Sequence, residues 1–444
     1  MKKVITMTIS VMLVAVLIAA CGPAGGGGGA PAADAPAAAD DAPAAADAPA
    51  PDTEQEPIVL RWSFWVHAED IGTWQDGMDA FTAMHPHVTF EIEGAAWGMY
   101  WDRLQTQVLA GTQPDVMGMV TMQSQHYMLS GALLNLQPFI DNDPDFDLYD
   151  FWPANMYAYK LNGDIHALPY DLSQDVMLLN LDLFDQAGVP HPPATGWTFD
   201  EFREASLALR DAGIHASGWQ PGGHGFFNVA LSTGNDIITE DGTRLLLDAP
   251  EVIDAVQRLA DLLLVDEAAV PAAQVGELGM FEAGLVAMRL VNPEWVMVMR
   301  QRMPDANLDV VPLPTFGPAR SIAQSLVGGA FAGGSNTNYP DIVWEFLKVY
   351  TSAEILRETV ADTHRGIPGR MSIKDYMIDS QWAVPNSSLF FESIPYARWI
   401  SFNNDHQIHT IMGQYLENVF LGELTAEEAL TAFVEEANQI LAGN

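Results

Sequence analysis

The sequence predicts an α/β fold arranged as two lobes. Short apolar strands alternate with helical segments from Ile58 onward, the pattern of a largely parallel sheet with helices on both sides. About 390 of the 444 residues lie in this globular part, more than one core holds and enough for two. After residue 21 no apolar run is long enough to span a bilayer.

The N-terminus has a different character. Lys2 and Lys3 precede an apolar run from Val4 to Ala20, closed by Ile18-Ala19-Ala20-Cys21. Charge, apolar core and small residues before a cut form a secretory signal. A transmembrane anchor is the alternative, since the run is nearly long enough. Cys21 is the only cysteine, so disulfides and cysteine metal sites are excluded. Residues 22–57 are Gly, Ala, Pro and Asp with almost nothing to bury, and are expected to be a disordered tether reaching roughly 30–40 Å. A partner-binding tract is the other reading. The formal charge of −39 repels nucleic acid and anionic lipid, and reads as a solubility feature.

The globular part begins with the apolar, aromatic strand Ile58–Trp65. The polar loop Val66–Asp70 follows, then a helix from about Thr73 to Met84, ended by His85-Pro86-His87. Val88–Ile92 alternates cleanly as a second strand. Trp97 and Trp101 lie one helical turn apart, with Leu104 and Val108 continuing the helical spacing; one of the two is packing, and Trp97 is favoured for a cleft. Ala110–Val116 leads into a third strand. Val176–Leu179 reads as a buried strand, and Asn180-Leu181-Asp182 opens a short helix that Gly188 stops. Thr198 caps the next helix, with Glu201 three residues on completing a capping box. Gly218–His224 is an irregular, aromatic and polar loop, a binding-loop candidate. Glu240–Thr243 is a hairpin turn. Helices follow at Pro250–Val265, Asp341–Tyr350 and Leu424–Leu441.

Ligands of open α/β sheets bind beyond the carboxyl ends of strands. That rule points to Trp65, His67 and Glu69 after the first strand, with Trp65 equally readable as core. It points also to Val120–Gln125 after the third strand, Gln123 among them. Asp141–Asp147 carries acids at alternate positions, but Phe146 and Trp152 stand where a calcium loop needs Gly and Glu. The segment reads as a solvated loop. The 11 histidines lack zinc spacing, so no metal and no cofactor is expected.

The segments Phe81–Val88, Leu109–Val116, Gly131–Leu136, Pro169–Phe202, Phe281–Met288, Val310–Pro314, Gly328–Phe331, Asp341–Tyr350, Arg365–Arg370 and Leu424–Leu441 resemble, in this order, one set of motifs. They are those of the extracellular solute-binding proteins of ABC transporters, in the carbohydrate-binding group that includes maltose-binding protein. Most telling is Pro169-Tyr170-Asp171 with Asn180, Asp182, Phe184, Gly188, Pro192-Pro193, Trp197 and Glu201-Phe202. The resemblance covers residues 58–444. It implies a periplasmic-binding-protein-like fold, with a ligand cleft between lobes joined by three crossing segments near 169–172, 311–316 and 366–371. One lobe would hold 58–170 and 316–368, the other 171–315 and 369–444. Asp171 would line the cleft at the first crossing. Trp219 and Gln220 would match a sugar-contacting segment, although Gln220 stands near the place of an acid. Trp295 would be the cleft tryptophan, although Pro293-Glu294 replaces a common Gly-x. Gly329 and Arg365 would belong to the later crossings. Ile18–Cys21 likewise resembles a bacterial lipobox, which implies a lipid on Cys21.

Two functions follow from different classes. One is a monomeric, membrane-tethered, extracytoplasmic protein that captures a sugar and passes it to ABC permease subunits. The other is a secreted polysaccharide hydrolase; neither Gly-x-Ser-x-Gly nor His-Glu-x-x-His occurs, which favours the binder. A polyamine is the chemical runner-up, since carboxylates with aromatics also suit cations.

Overall fold

The computed structural model describes residues 56–443 apart from 67–70, 73, 220–223, 272–273, 275–278, 318–326, 364, 380–383, 399 and 401–404. The signal segment, Cys21, nearly all of the tether, His67, Glu69 and Gln220 therefore lie outside the described residues. The described strands are β1 (Ile58–Trp65), β2 (Val88–Ala95), β3 (Val116–Val120), β4 (Lys160–Leu161), β5 (Asp164–Ile165), β6 (Leu168–Pro169), β7 (Asp171–Leu172), β8 (Val176–Asn180), β9 (His215–Ser217), β10 (Val286–Val291), β11 (Leu308–Val311), β12 (Gly329–Gly333) and β13 (Ile367–Pro368).

They form two main sheets, one in each lobe. The first has the order β2-β1-β3-β12-β6 and the second β11-β8-β10-β9. In the first, β1 runs parallel to β2 and β3, as the alternation of strands and helices predicts. β12 is antiparallel to β3 and to β6. In the second sheet β8 is antiparallel to both β10 and β11, and only β9 and β10 are parallel. The expectation of a largely parallel sheet therefore holds for every strand but β12 in the first sheet and β8 in the second. The physical reason is the crossing itself. A strand arriving from the other lobe enters at the cleft and runs away from it, opposite to strands whose βα turns face the cleft. β8 and β12 are those arrivals.

Local chemistry sets the element ends. Leu60, Trp62 and Phe64 alternate into the core from β1. β3 is buried along its whole length, as a central strand covered on both faces must be. Gly188 ends its helix at φ 69°, a left-handed cap that costs glycine little. Thr198 and Glu201 form the expected capping box on helix Phe199–Asp211, and Thr425 with Glu428 repeats it on helix Ala426–Leu441. Trp62 centres an aromatic cluster with Phe64, Trp74, Phe90, Phe331, Phe346 and Tyr350, at ring separations of 4.6–6.4 Å.

The crossings are tied to one another. β7 pairs with β13, joining the first crossing to the third. Ser173 and Val327 exchange backbone hydrogen bonds beside them. Two tryptophans anchor this region. Trp152 Nε1 donates to the Pro368 carbonyl at 3.0 Å, and Trp197 Nε1 to the Pro312 carbonyl at 2.9 Å. Ser372 bonds to Asp150 of the first lobe, and Asn386 holds both oxygens of Asp309 in the second.

Candidate functional site

Strand direction locates the cleft edge of each sheet. In the first lobe it comprises the carboxyl ends of β1, β2 and β3 and the start of β12. In the second it comprises the start of β8 and the carboxyl ends of β9, β10 and β11. The residues following those ends are the ones a ligand between lobes can meet.

On the first lobe, Trp65 ends β1 half-buried and packs against Trp97 at 5.1 Å, Tyr100 at 5.6 Å and Trp101 at 5.6 Å. Trp97 opens helix Trp97–Leu109 and is 44% exposed, whereas Trp101 one turn later is 4% exposed. Trp97 therefore offers an indole to solvent, with Trp65 supporting it edge-on. Gln123 sits buried in the first turn of helix Thr121–Leu129, directly after β3. That helix packs on helix Asp405–Phe420.

Asp171 lies where the crossings converge. Its Oδ1 accepts the Gly329 N–H at 2.7 Å, and a Cβ on Gly366 would stand 3.3 Å from its Oδ2. Burial pushes its carboxyl up to about 6; the Gly329 N–H and Arg365 pull it back, and Glu294 adds to the rise. Tyr170 beside it is raised well above the ordinary phenol value, by burial first and by Asp171 next. The Arg365 guanidinium stacks over Trp74 at 4.0 Å from the ring centroid. Gly329 contributes backbone: a Cβ there would fall 2.2 Å from the Tyr170 ring.

On the second lobe, Trp295 stands in the first turn of helix Pro293–Arg302, after β10. Asn292 caps the helix by accepting the Trp295 N–H at 3.1 Å. Trp295 is 39% exposed, while Val296 and Met299 take the buried face of the helix. The guanidinium groups of Arg289 and Arg302 lie 5.1 and 5.8 Å from its ring centroid, and both arginines pair with Glu282. The Glu294 charge, in the first turn of the same helix, adds to the rise at both Asp171 and Tyr170. Trp219 is 4% exposed and lies in the second lobe's core against Phe202 and Phe316.

The structure thus brings Trp65 and Trp97 together, and Asp171 with Gly329 and Arg365, while Trp219 packs elsewhere. Sequence reasoning missed Trp74, Glu294, Asp175 and Asn228. Asp175 lies inside the Pro169–Phe202 stretch, four residues beyond Asp171, so its signal was present. Asn228 carried none. Among the described residues no group of three or more His, Cys, Asp or Glu could hold a metal. In the Asp141–Asp147 segment Asp143 pairs with Lys348 at 2.8 Å, which holds its carboxyl below the usual range.

Exposed indoles cover the apolar faces of a ring, and buried carboxylates accept hydroxyl hydrogens, so the arrangement suits an uncharged polyhydroxylated ligand.

Comparison with known proteins bears on this reading. Residues 66–355 match the family model described as bacterial extracellular solute-binding protein. A binding protein of Brucella abortus (strain 2308) is 22% identical over 277 residues, 60% of this chain; the chain spans 66% of that relative's length. The sn-glycerol-3-phosphate-binding periplasmic protein of Pectobacterium atrosepticum is 24% identical over 391 residues, 80% of this chain and 85% of its own. The solved ABC substrate-binding protein from Listeria monocytogenes in complex with cycloalternan has the same fold, with a TM-score of 0.78 at 21% identity; the match covers 87% of this chain and 100% of that one.

Proposed function

The chain belongs to the bacterial extracellular solute-binding protein family, and on that premise we propose that it captures a mono- or oligosaccharide between its lobes and delivers it to an ABC importer. The observation that carries this reading is the pair of exposed indoles, Trp97 and Trp295, one at the cleft edge of each sheet, together with the partly buried carboxylates of Asp171 and Asp175. The cycloalternan complex of the Listeria protein supports a sugar. The glycerol-phosphate-binding relative favours a phosphorylated solute as the second reading, and Arg289 and Arg302 beside Trp295 are its observation. Both arginines already pair with Glu282, which leaves less charge for a phosphate.

The mechanism is population shift. A ligand touching both lobes binds the closed form better and draws the molecule toward it. The lobes divide as 58–170 with 316–368 and 171–315 with 369–444. The same proposal tethers the mature protein to the outer face of the membrane through lipidated Cys21, with residues 22–57 as the spacer. No bond is made or broken in this cycle, so no catalytic residue is assigned.

A thermal-shift panel of maltose, trehalose, glycerol 3-phosphate and putrescine tests the reading, because a ligand of the native state raises Tm. A rise with a sugar, accompanied by a smaller radius of gyration in small-angle scattering, is expected. A rise with glycerol 3-phosphate or putrescine alone would replace the sugar.

Trp295→Ala is the matching variant. A sugar ring covering roughly 50–100 Å² of indole contributes on the order of 1–2.5 kcal/mol, so affinity should fall about 10- to 100-fold. Stability should fall only about 1 kcal/mol, for the two cation–π contacts. Titration calorimetry alongside urea unfolding checks both numbers. Near-normal affinity with a large stability loss would make Trp295 a packing residue.

A further inference from the structure

A second carboxylate, partly buried, lies at the cleft edge of the second lobe, unused by the stacking scheme. Asp175 precedes β8, the strand that enters that lobe from the cleft. Side chains alternate there. Gln174 turns toward Ser393 and Val176 joins the first core, while Met177 joins the second. Asp175 therefore shares the Met177 face, on which helix His224–Ser232 packs. There its Oδ2 accepts the Asn228 side-chain N–H at 3.0 Å, and Asn228 itself is 4% exposed.

One donor satisfies one oxygen. A carboxylate offers about four acceptor sites, and among the described residues Asp175 Oδ1 makes no hydrogen bond. The side chain keeps partial exposure, and the start of β8 lies at the cleft edge of its sheet. Burial raises the carboxyl to about 6, and only the Asn228 amide opposes the rise. The folded protein thus takes up this proton more readily than the unfolded chain. The group's contribution to stability falls as pH rises from about 4 to 6 and stays lowered at pH 7. A charge kept at such a cost, with one oxygen open, suits a group that waits for a donor.

We propose that Asp175, aimed by Asn228, is a specificity-determining acceptor of the second lobe: its Oδ1 takes the O–H of one hydroxyl of the bound sugar. This inference rests on the sugar reading above. A bound neutral hydroxyl can donate one hydrogen to Oδ1 while Oδ2 stays on Asn228. An analogue lacking that hydroxyl leaves Oδ1 as it is in the free protein.

The test is Asp175→Asn in the full-length protein, titrated against maltose, maltotriose and trehalose, and then against the monodeoxy analogues of whichever sugar binds the unmodified protein. Asparagine keeps the shape, and at pH 7 its Tm should equal or exceed that of the unmodified protein, which excludes misfolding. Expected is a loss of about 10- to 100-fold for the parent sugar. One monodeoxy analogue should bind both proteins equally, a selectivity that general loosening of the lobe does not produce. If the unmodified protein binds a sugar and Asp175→Asn binds it within twofold, the acceptor role is overturned and the sugar reading stands. A uniform loss across all monodeoxy analogues also overturns it. If the unmodified protein binds none of the three sugars, both readings fall together.

Discussion

Gly369→Ala should destabilise the protein by about 3 kcal/mol and weaken ligand closure at the same time. A Cβ at this position would stand 2.5 Å from the Pro169 carbonyl oxygen. That oxygen is backbone in the first crossing, so it cannot turn aside as a side-chain tip can. Gly369 also donates its N–H to the Tyr170 carbonyl at 2.9 Å and accepts from the Trp152 N–H at 3.2 Å. The methyl therefore forces the first and third crossings apart or breaks one of these bonds. Overpacking costs about 1–3 kcal/mol, more where backbone must move, and outweighs the roughly 0.4–1 kcal/mol that alanine gains by restricting the unfolded chain. Urea unfolding gives the first effect. The second appears as a smaller ligand-induced change in radius of gyration. A variant with unchanged midpoint and unchanged closure would show that these crossings slide freely.

Trp62→Ala should have a larger effect on stability, about 3–5 kcal/mol. Trp62 is fully buried, and its ring meets Phe331 at 5.0 Å and Phe346 and Tyr350 at 5.2 Å, nearly edge-on. Truncation opens a cavity among aromatic rings held by four different elements, which cannot collapse together. The indole N–H makes no hydrogen bond within the described residues, so the wild-type side chain already carries a desolvated donor. Trp62→Phe removes that donor and keeps most of the ring. It should cost less than half as much as the alanine variant. Equal costs for the two would mean that the indole N–H is satisfied by a neighbouring π face.

Much of the local structure was legible in the residues alone. The bounds of β1, the left-handed Gly188 and the Thr198–Glu201 capping box are set by neighbours within a few positions. The two-lobed fold was legible too, because chain length and a long ordered series of motifs constrain it. The choice between Trp97 and Trp101 was half legible. Helical spacing says that they differ by one turn, but only the packing of Trp101 on Tyr127 and Tyr100 says which one is buried.

The sequence by itself determined the main strands and helices of the globular part and the stretch around Pro169–Phe202 where the lobes join. Tertiary structure decided the rest, since the deciding contacts join residues far apart in the chain. It reversed the direction of β8 and β12 against their neighbours, because each enters its sheet from the other lobe. It put Trp219, read from the sequence as part of a binding-loop candidate, into the second core, because Phe202 and Phe316 flank it. It gave Gly329 a packing role under the Tyr170 ring. It joined Asp175 to Asn228 across 53 residues, a pairing that no local pattern encodes, because a buried carboxylate is set by whatever the fold places beside it.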